Sequence, residues 1–438
     1  MSTATTSTAT TPTLPSDRPP PGYRPLTEAS LPDYLASLDE IRARLGGRPA
    51  DWQVREVGDG NLNLVFLVDG PAGAVCVKQS LPYVRSFGEA WRMPLERAFF
   101  ENSYYSIVGP HVPGLAPAVY HYSPELYCIT MEKLAPHIIL RRGLIAGTRF
   151  PKVARQVGDY VARASFFTSD LARPFERKLD GMALFARNQS LLRITVELVF
   201  ADPYRVMERN RWTSPALDGI AAQFRADGPL KAAAARMGQR FLGEAQALVH
   251  GDLHSGSVMV TEGDSRVIDP EFAFYGPIGF DLGAFIGNLL LAWYAQPGHA
   301  SEGDDRAGYR AWILEQIGIF WESFRATFLA LWRSEAAGDV YPASLFAAPG
   351  DAPALEAARE AFVASLFADM VGFAACKMIR RIFGFAHVAD FETITDKTRR
   401  AACETGALML ARTMLLHPEQ FTRIDDICDA AARFARDI

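Results

Sequence analysis

The segment from Val249 to Gly283, VHGDLHSGSVMVTEGDSRVIDPEFAFYGPIGFDLG, constrains this chain more than any other part of it. It carries His250-Gly251-Asp252, then Asp269 and Glu271 on either side of Pro270, then Asp281, with a predicted hairpin between the first two groups. Carboxylates in that order suit the transfer of a phosphoryl group to an alcohol. One orients the hydroxyl and accepts its proton, and others hold the magnesium that neutralises the phosphates. Asp252 fits the first role, and Asp269 with Glu271 fits the second. Pro270 biases Asp269 toward an extended backbone, and residues two apart in an extended segment project to the same side. Both carboxylates are therefore expected to face one ion. Mg²⁺ takes hard oxygen ligands from one or two carboxylates, phosphate and water.

The pattern departs from that of protein kinases. The position five residues after Asp252, where an asparagine helps bind metal in protein kinases, is Ser257, and a DPE triplet stands where DFG would. A hydroxyl is a weaker ligand than an amide carbonyl, so Glu271 is expected to supply the second metal contact. These departures favour small-molecule kinases of the aminoglycoside phosphotransferase type. His250 is read as bracing its loop by a backbone hydrogen bond, while the role of His254 is left open. Asp281 can cap the helix running through Phe285 to Trp293, or tie down the amides of the HGD loop.

Composition agrees with a two-lobed enzyme. A chain of 438 residues exceeds one ordinary core. With 49% apolar residues and a net charge of −5, neither a nucleic-acid footprint nor a disordered acidic chain is indicated. Cys76, Cys128, Cys376, Cys403 and Cys428 are scattered without a CxxC pair and read as reduced thiols in a cytoplasmic protein. Residues 1–25 are rich in Ser, Thr, Ala and Pro without an apolar stretch, so a disordered tail is expected, not a signal peptide. The apolar run Leu282 to Tyr294 contains Asn288, is too short to span a bilayer, and is expected to be a core helix.

Along the chain, a first helix is expected from Ser30 to Gly46 and Gly47. A strand from Trp52 to Val57, the loop GDGNLN at Gly58 to Asn63, a strand through LVFLV and a third through AVCVKQS follow. Gly58 and Gly60 allow close backbone approach to a phosphate, and Lys78 lies on the third strand as an ATP-contacting lysine would. Gly58, Asp59, Gly60, Asn61, Asn63 and Lys78 are thus candidate ATP contacts. Glu96 or, preferably, Glu101 on the next helix, Pro94 to Ile107, is expected to orient Lys78. Strands at Ala118–Tyr122 and Tyr127–Met131 lead to Glu132 and Leu134, a candidate adenine hinge. Beyond His137 the pattern is mostly helical. The expected architecture is α+β and two-lobed, protein kinase-like, with a small N-terminal sheet lobe over residues 26–132 and a larger helical lobe over 133–438.

With these residues placed, the chain resembles the S-methyl-5-thioribose kinases, within the aminoglycoside phosphotransferase-like kinases, over nearly all of residues 27–420. The resemblance rests on GDGNLN at Gly58, WRMPLERAFFE at Trp91, PHIILRRGLIAG at Pro136, FADPYR at Phe200, NRWTSPALD at Asn210, VHGDLHSGSVMV at Val249, DPEFAFYGPIGFDLGAFIGNLLLAW at Asp269 and KMIRRIFGFAHVAD at Lys377. It implies ATP- and Mg²⁺-dependent phosphorylation of the anomeric 1-hydroxyl of 5-methylthioribose in methionine salvage, by a cytoplasmic homodimer. It also implies that Arg380 and Arg381 contact the sugar substrate. Fixed cations there would balance charge developing at the transferring group. Adjacent helical residues point about 100° apart, so one arginine can face substrate while the other braces a loop. A kinase of choline, homoserine or an aminoglycoside would share the nucleotide residues and differ in the pocket. A catalytically silent nucleotide-binding module would be expected to lack Asp252 or Asp269.

Overall fold

A computed structural model describes residues 19–58, 62–85 and 88–435. Two compact units divide the chain, one of residues 1–99 and 119–133, the other of residues 100–118 and 134–438. The segment 100–118, which the sequence reading placed in the N-terminal lobe, therefore belongs with the second unit. The expected α+β class holds, with a sheet in the first unit and helices dominating the second.

The first unit begins with α1 (Leu31–Ala36) and α2 (Asp39–Leu45), where one continuous helix was expected. Ser37 breaks it: its hydroxyl donates to the Tyr34 carbonyl at 2.6 Å, competing with the helical ladder, and Leu38 is extended. The break turns Leu31 and Leu35, then Ile41 and Leu45, into one core. That core covers a five-stranded antiparallel sheet, in order β1-β2-β3-β7-β6. Its strands are β1 (Gln53–Glu56), β2 (Asn63–Asp69), β3 (Ala74–Ser80), β6 (Val119–Ser123) and β7 (Cys128–Glu132), while β4 (Tyr83–Val84) and β5 (Gly88–Arg92) pair separately. Alternation in β3 buries Val75, Val77 and Gln79 on one face, leaving Cys76 and Lys78 on the other. The end of the expected tail is tied down. Tyr23 donates to the Ser80 carbonyl at 2.8 Å, and Gln79 accepts from the Leu26 amide at 2.7 Å. Residues 1–18 lie outside the described residues.

The second unit takes in most of α3 (Arg97–Val108) and then runs through α4 (Leu140–Ala146), α5 (Val153–Thr168), α6 (Phe175–Phe185), α7 (Gln189–Thr195), α8 (Asp218–Ala226) and α9 (Gly228–Gly243). Four short strands frame the acidic loops: β9 (Ala247–Val249) pairs with β12 (Phe274–Gly276), and β10 (Val258–Val260) with β11 (Ser265–Val267). The latter is the predicted hairpin, to which β8 (Ile138–Ile139) adds a third strand. The chain ends with α10 (Ile278–Ala295), α11 (Ala307–Ser334), α12 (Asp351–Phe383), α13 (Ala389–Glu392), α14 (Lys397–Leu416) and α15 (Ile424–Arg433).

Every residue of α10 is buried. Each large apolar side chain there contributes about 1.5–3 kcal/mol. With its 3₁₀ extension to His299 the helix reaches 22 residues, long and apolar enough to cross a membrane by length and composition, although the run Leu282 to Tyr294 within it is the buried core helix expected. All of its apolar window is nonetheless inside the unit. Glycines 279, 283 and 287 let α10 approach α12 closely. A Cβ at these positions would lie 2.4 Å from Asp369 Cβ, 2.6 Å from Ala374 N and 2.9 Å from Ala374 O. That approach brings the C-terminal turns of α12 to the HGD loop.

Candidate active site

Strand β9 delivers His250, Gly251 and Asp252 into a tightly braced turn. Gly251 has φ +84, and a Cβ there would stand 2.2 Å from the Phe272 carbonyl oxygen, so only glycine fits. Asp281 lies inside the first turn of α10 and makes no capping bond to it. Its carboxylate instead accepts from the His250 amide at 2.6 Å and the Gly251 amide at 3.0 Å, the second of the two roles considered. His250 Nδ1 accepts from the Asp252 amide at 3.3 Å, which assigns the ring proton to Nε2, 2.9 Å from the Ile268 carbonyl. Ser257 Oγ donates to the Asp252 carbonyl at 3.0 Å, so in this structure it braces the loop.

Both oxygens of Asp252 are engaged. Lys377 Nζ, from α12, is 3.1 Å from Oδ1, and His254 Nε2 is 3.3 Å from Oδ2. The Gly256 amide donates to His254 Nδ1 at 2.9 Å, which leaves the proton on Nε2, directed at Asp252. Burial pushes His254 down to about 3, against the pull of Asp252, so the imidazole is neutral. Burial alone would raise the Asp252 carboxyl. Lys377 and His254 outweigh it and hold the group well below the usual carboxylate range. The Asp252 side chain stays 23% exposed, open to a substrate hydroxyl.

Arg380 and Arg381 close the same α12 face. Arg381 donates to the Ala386 carbonyl at 3.3 Å and comes within 4.0 Å of Asp252 Oδ1. Arg380 Nε and Nη1 and Arg381 Nε are buried without a protein acceptor among the described residues. Arg141 on α4 adds a fourth cation. It contacts Asp390 at 3.2 Å, Ser255 Oγ at 3.1 Å and Asn288 Oδ1 at 2.9 Å. Four cations thus surround two carboxylates, and buried donors lacking acceptors suit an anion. Sequence reading missed Lys377 and Arg141. For Lys377 a signal existed, because Lys377, Arg380 and Arg381 are spaced i, i+3, i+4 and share one helical face.

A second cluster joins Glu101, Asp269 and Glu271, with one oxygen from each lying within 4.8 Å of the others. Glu101 and Glu271 are buried. The expected extended backbone at Asp269 is not found: φ is +71, and the left-handed kink, not a shared strand face, turns its carboxylate toward the others. Aspartate tolerates this conformation better than most residues. The Asp269 amide donates to Tyr105 Oη at 3.1 Å, one turn beyond Glu101 on α3. Asn188 donates to the Glu271 and Ala273 carbonyls at 2.9 and 3.1 Å. Three carboxylates this close suit a hard divalent cation. Glu101, expected to orient Lys78, is thus set beside Asp269 and Glu271.

Of the candidate nucleotide residues, Asp59, Gly60 and Asn61 lie outside the described residues. A Cβ on Gly58 would meet open space. Asn63 opens β2, and its side-chain oxygen accepts from Arg97 at 3.0 Å. Arg97, fully buried, also donates to the Leu81 and Pro94 carbonyls at 2.8 and 2.9 Å. Lys78 sits mid-sheet, opposite Val65 and Ile129. Glu132 ends β7, opposite Val75, and Leu134 falls in the second unit.

An antiparallel sheet unit followed by a helical unit with an HGD loop and a buried carboxylate cluster defines a phosphotransferase. Residues 53–313 match the phosphotransferase enzyme family. The chain belongs to that family and, within it, to the methylthioribose kinases. It is 44% identical over 419 residues to methylthioribose kinase 2 of Oryza sativa subsp. japonica, covering 95% of this chain and 97% of that one. It is 44% identical over 416 residues to the methylthioribose kinase of Escherichia coli O45:K1, covering 95% and 99%. The methylthioribose kinase of Yersinia enterocolitica serotype O:8 is 40% identical over 407 residues, covering 92% and 97%.

Proposed function

We propose that this enzyme transfers the γ-phosphoryl group of ATP to the 1-hydroxyl of S-methyl-5-thioribose, giving the 1-phosphate and ADP in methionine salvage. The observation that carries the reading is Asp252, held by Lys377 and His254 beside the Arg380–Arg381 pair, in a chain whose relatives of this name match it nearly end to end. Asp252 accepts the hydroxyl hydrogen bond and takes the proton as the new oxygen–phosphorus bond forms and the bond to ADP breaks. Arg380 and Arg381 donate to the transferring group. Gly58, Asp59, Gly60, Asn61, Asn63, Lys78, Glu132 and Leu134 are proposed ATP contacts. Asp269, Glu271 and Glu101 would hold Mg²⁺, which when bound neutralises phosphate charge. A cytoplasmic homodimer is proposed from the family resemblance.

The test is a phosphorylation screen with purified protein, ATP, Mg²⁺ and a panel of methylthioribose, other sugars, choline, homoserine and an aminoglycoside. Selective turnover of methylthioribose is expected, and preference for another alcohol would overturn the assignment. Arg380→Ala and Arg381→Ala are each expected to lower kcat about a hundredfold, the cost of losing one fixed electrostatic donor. Lysine replacements should recover only part, since a point charge does not reproduce a planar fork. If all four variants keep parental sugar KM and kcat, the pair has no role in transfer.

A further inference from the structure

We propose that Lys377 is a positioning residue for Asp252: its ammonium, 3.1 Å from Oδ1, keeps the carboxylate ionised and aimed while His254 fixes Oδ2. The inference rests on the functional reading above and concerns a residue distinct from the arginine pair. Lys377 is buried, and its Nζ also lies 4.4 Å from the centroid of the Phe280 ring. Its surroundings leave the side chain little freedom. The α10–α12 approach at Gly279 and Gly283 fixes its backbone, Phe280 lies under the ammonium, and Asp252 receives it. A lysine so enclosed is not a solvated helix-face residue, because ordering and burying it needs a partner of opposite charge.

The charged and titratable groups facing it are Asp252 and His254 from the HGD loop, Asp281 from α10, and Arg380 and Arg381 from its own helix. Burial lowers Lys377 to about 8, against the pull of Asp252 and with the two arginines adding to the fall. It is therefore charged at neutral pH and loses its proton as pH rises through about 8. His254 is neutral and Arg381 stands 4.0 Å from the carboxylate, so among the described residues Lys377, at 3.1 Å, is the cation nearest Asp252.

The arrangement suits the chemistry. In a loose phosphoryl-transfer transition state the hydroxyl proton has moved little. What Asp252 must supply is a fixed, ionised acceptor more than a strong base. Lys377 gives ionisation and aim while reducing basicity, and it keeps its own proton throughout. Asp252 alone receives the substrate proton, so the balance of the reaction is unchanged.

This separates the proposal from a merely structural salt bridge. Lys377→Met makes Asp252 more basic, yet kcat is expected to fall about a hundredfold, the scale of a misplaced catalytic group. Sugar KM should shift by less than about threefold, since binding of the ground state is largely kept. Parental kcat should fall above about pH 8, and Lys377→Arg, which does not titrate there, should retain activity at alkaline pH within about tenfold of the neutral parent. The Asp252 carboxyl, followed by ¹³C NMR in sugar-free protein and assigned with Asp252→Asn, should titrate at higher pH in Lys377→Met than in the parent or Lys377→Arg. Thermal melts establish that each variant is folded. Unchanged or higher kcat in folded Lys377→Met, or an Asp252 titration that does not move, would overturn the proposal. If the parent does not phosphorylate methylthioribose, the functional reading falls, while the carboxyl titration still decides the role of Lys377.

Discussion

Asp252→Asn is expected to lower turnover about a thousandfold, within the usual range for removal of a general base, while leaving ADP affinity within about threefold, because the hydrogen-bond partners of its carboxylate, Lys377 and His254, are not among the proposed nucleotide contacts. Two effects combine in this substitution. The amide cannot take the substrate proton, and its NH₂ group cannot accept from His254 Nε2–H, which meets Oδ2 at 3.3 Å in the parent. Lys377 also loses the charge that faces it at 3.1 Å. Steady-state kinetics at saturating ATP, with calorimetric ADP binding and a thermal melt on the same sample, separate chemistry from folding. A folded Asp252→Asn protein that turns over within about tenfold of the parent would remove Asp252 from the proton-accepting role. The sign of the pH dependence follows from the lowered carboxyl. Asp252 stays ionised from neutral into mildly acidic pH and loses function only as pH falls through its depressed value. Its protonation therefore does not limit turnover near pH 7.

Loss of the acidic cluster comes next in size. Asp269→Asn is expected to cut kcat about a thousandfold and to raise the Mg²⁺ concentration needed for half-maximal rate by more than tenfold. Asparagine is the informative replacement because it also tolerates positive φ, so the +71 backbone at this position is kept and only the charge is lost. Glu271→Gln and Glu101→Gln should each shift the Mg²⁺ curve by about tenfold, with smaller losses of kcat. Mn²⁺ binding followed by electron paramagnetic resonance in the presence of ADP provides a readout independent of turnover. Mn²⁺ curves for Glu101→Gln that overlay the parent would restrict the ligand set to Asp269 and Glu271.

Local order was readable from the chain alone. The hairpin at Val258–Val267 follows from an apolar run and a second short strand on either side of a Gly-Asp turn, the strand carrying Lys78 from the alternation of Val75 and Val77, and the strand ending at Glu132 from its β-branched Ile129 and Thr130. The HGD loop, the DPE triplet and Asp281 lie within one short stretch, so their association needs no long-range information. The helix break at Ser37 was not readable, because helical periodicity continues through it and only packing of Leu35 and Ile41 on a common core selects two helices. The left-handed kink at Asp269 likewise escaped a rule for residues preceding proline, since that rule describes a preference and tertiary contacts overrode it.

Tertiary structure alone decided which distant groups meet. Glu101 reaches Asp269 across more than half of the chain's first 300 residues, and Lys377 reaches Asp252 over a separation of 125. The period of α12 shows that Lys377, Arg380 and Arg381 share a face, but periodicity carries no information about what that face meets. The partner is set where Gly279, Gly283 and Gly287 of α10 let α12 approach to backbone contact. The chemistry of each side chain is therefore written locally, whereas the depressed carboxyl of Asp252 depends on Lys377 and His254 being brought beside it, and the three carboxylates are gathered, against their mutual repulsion, by the packing that seats α3 beside the DPE triplet.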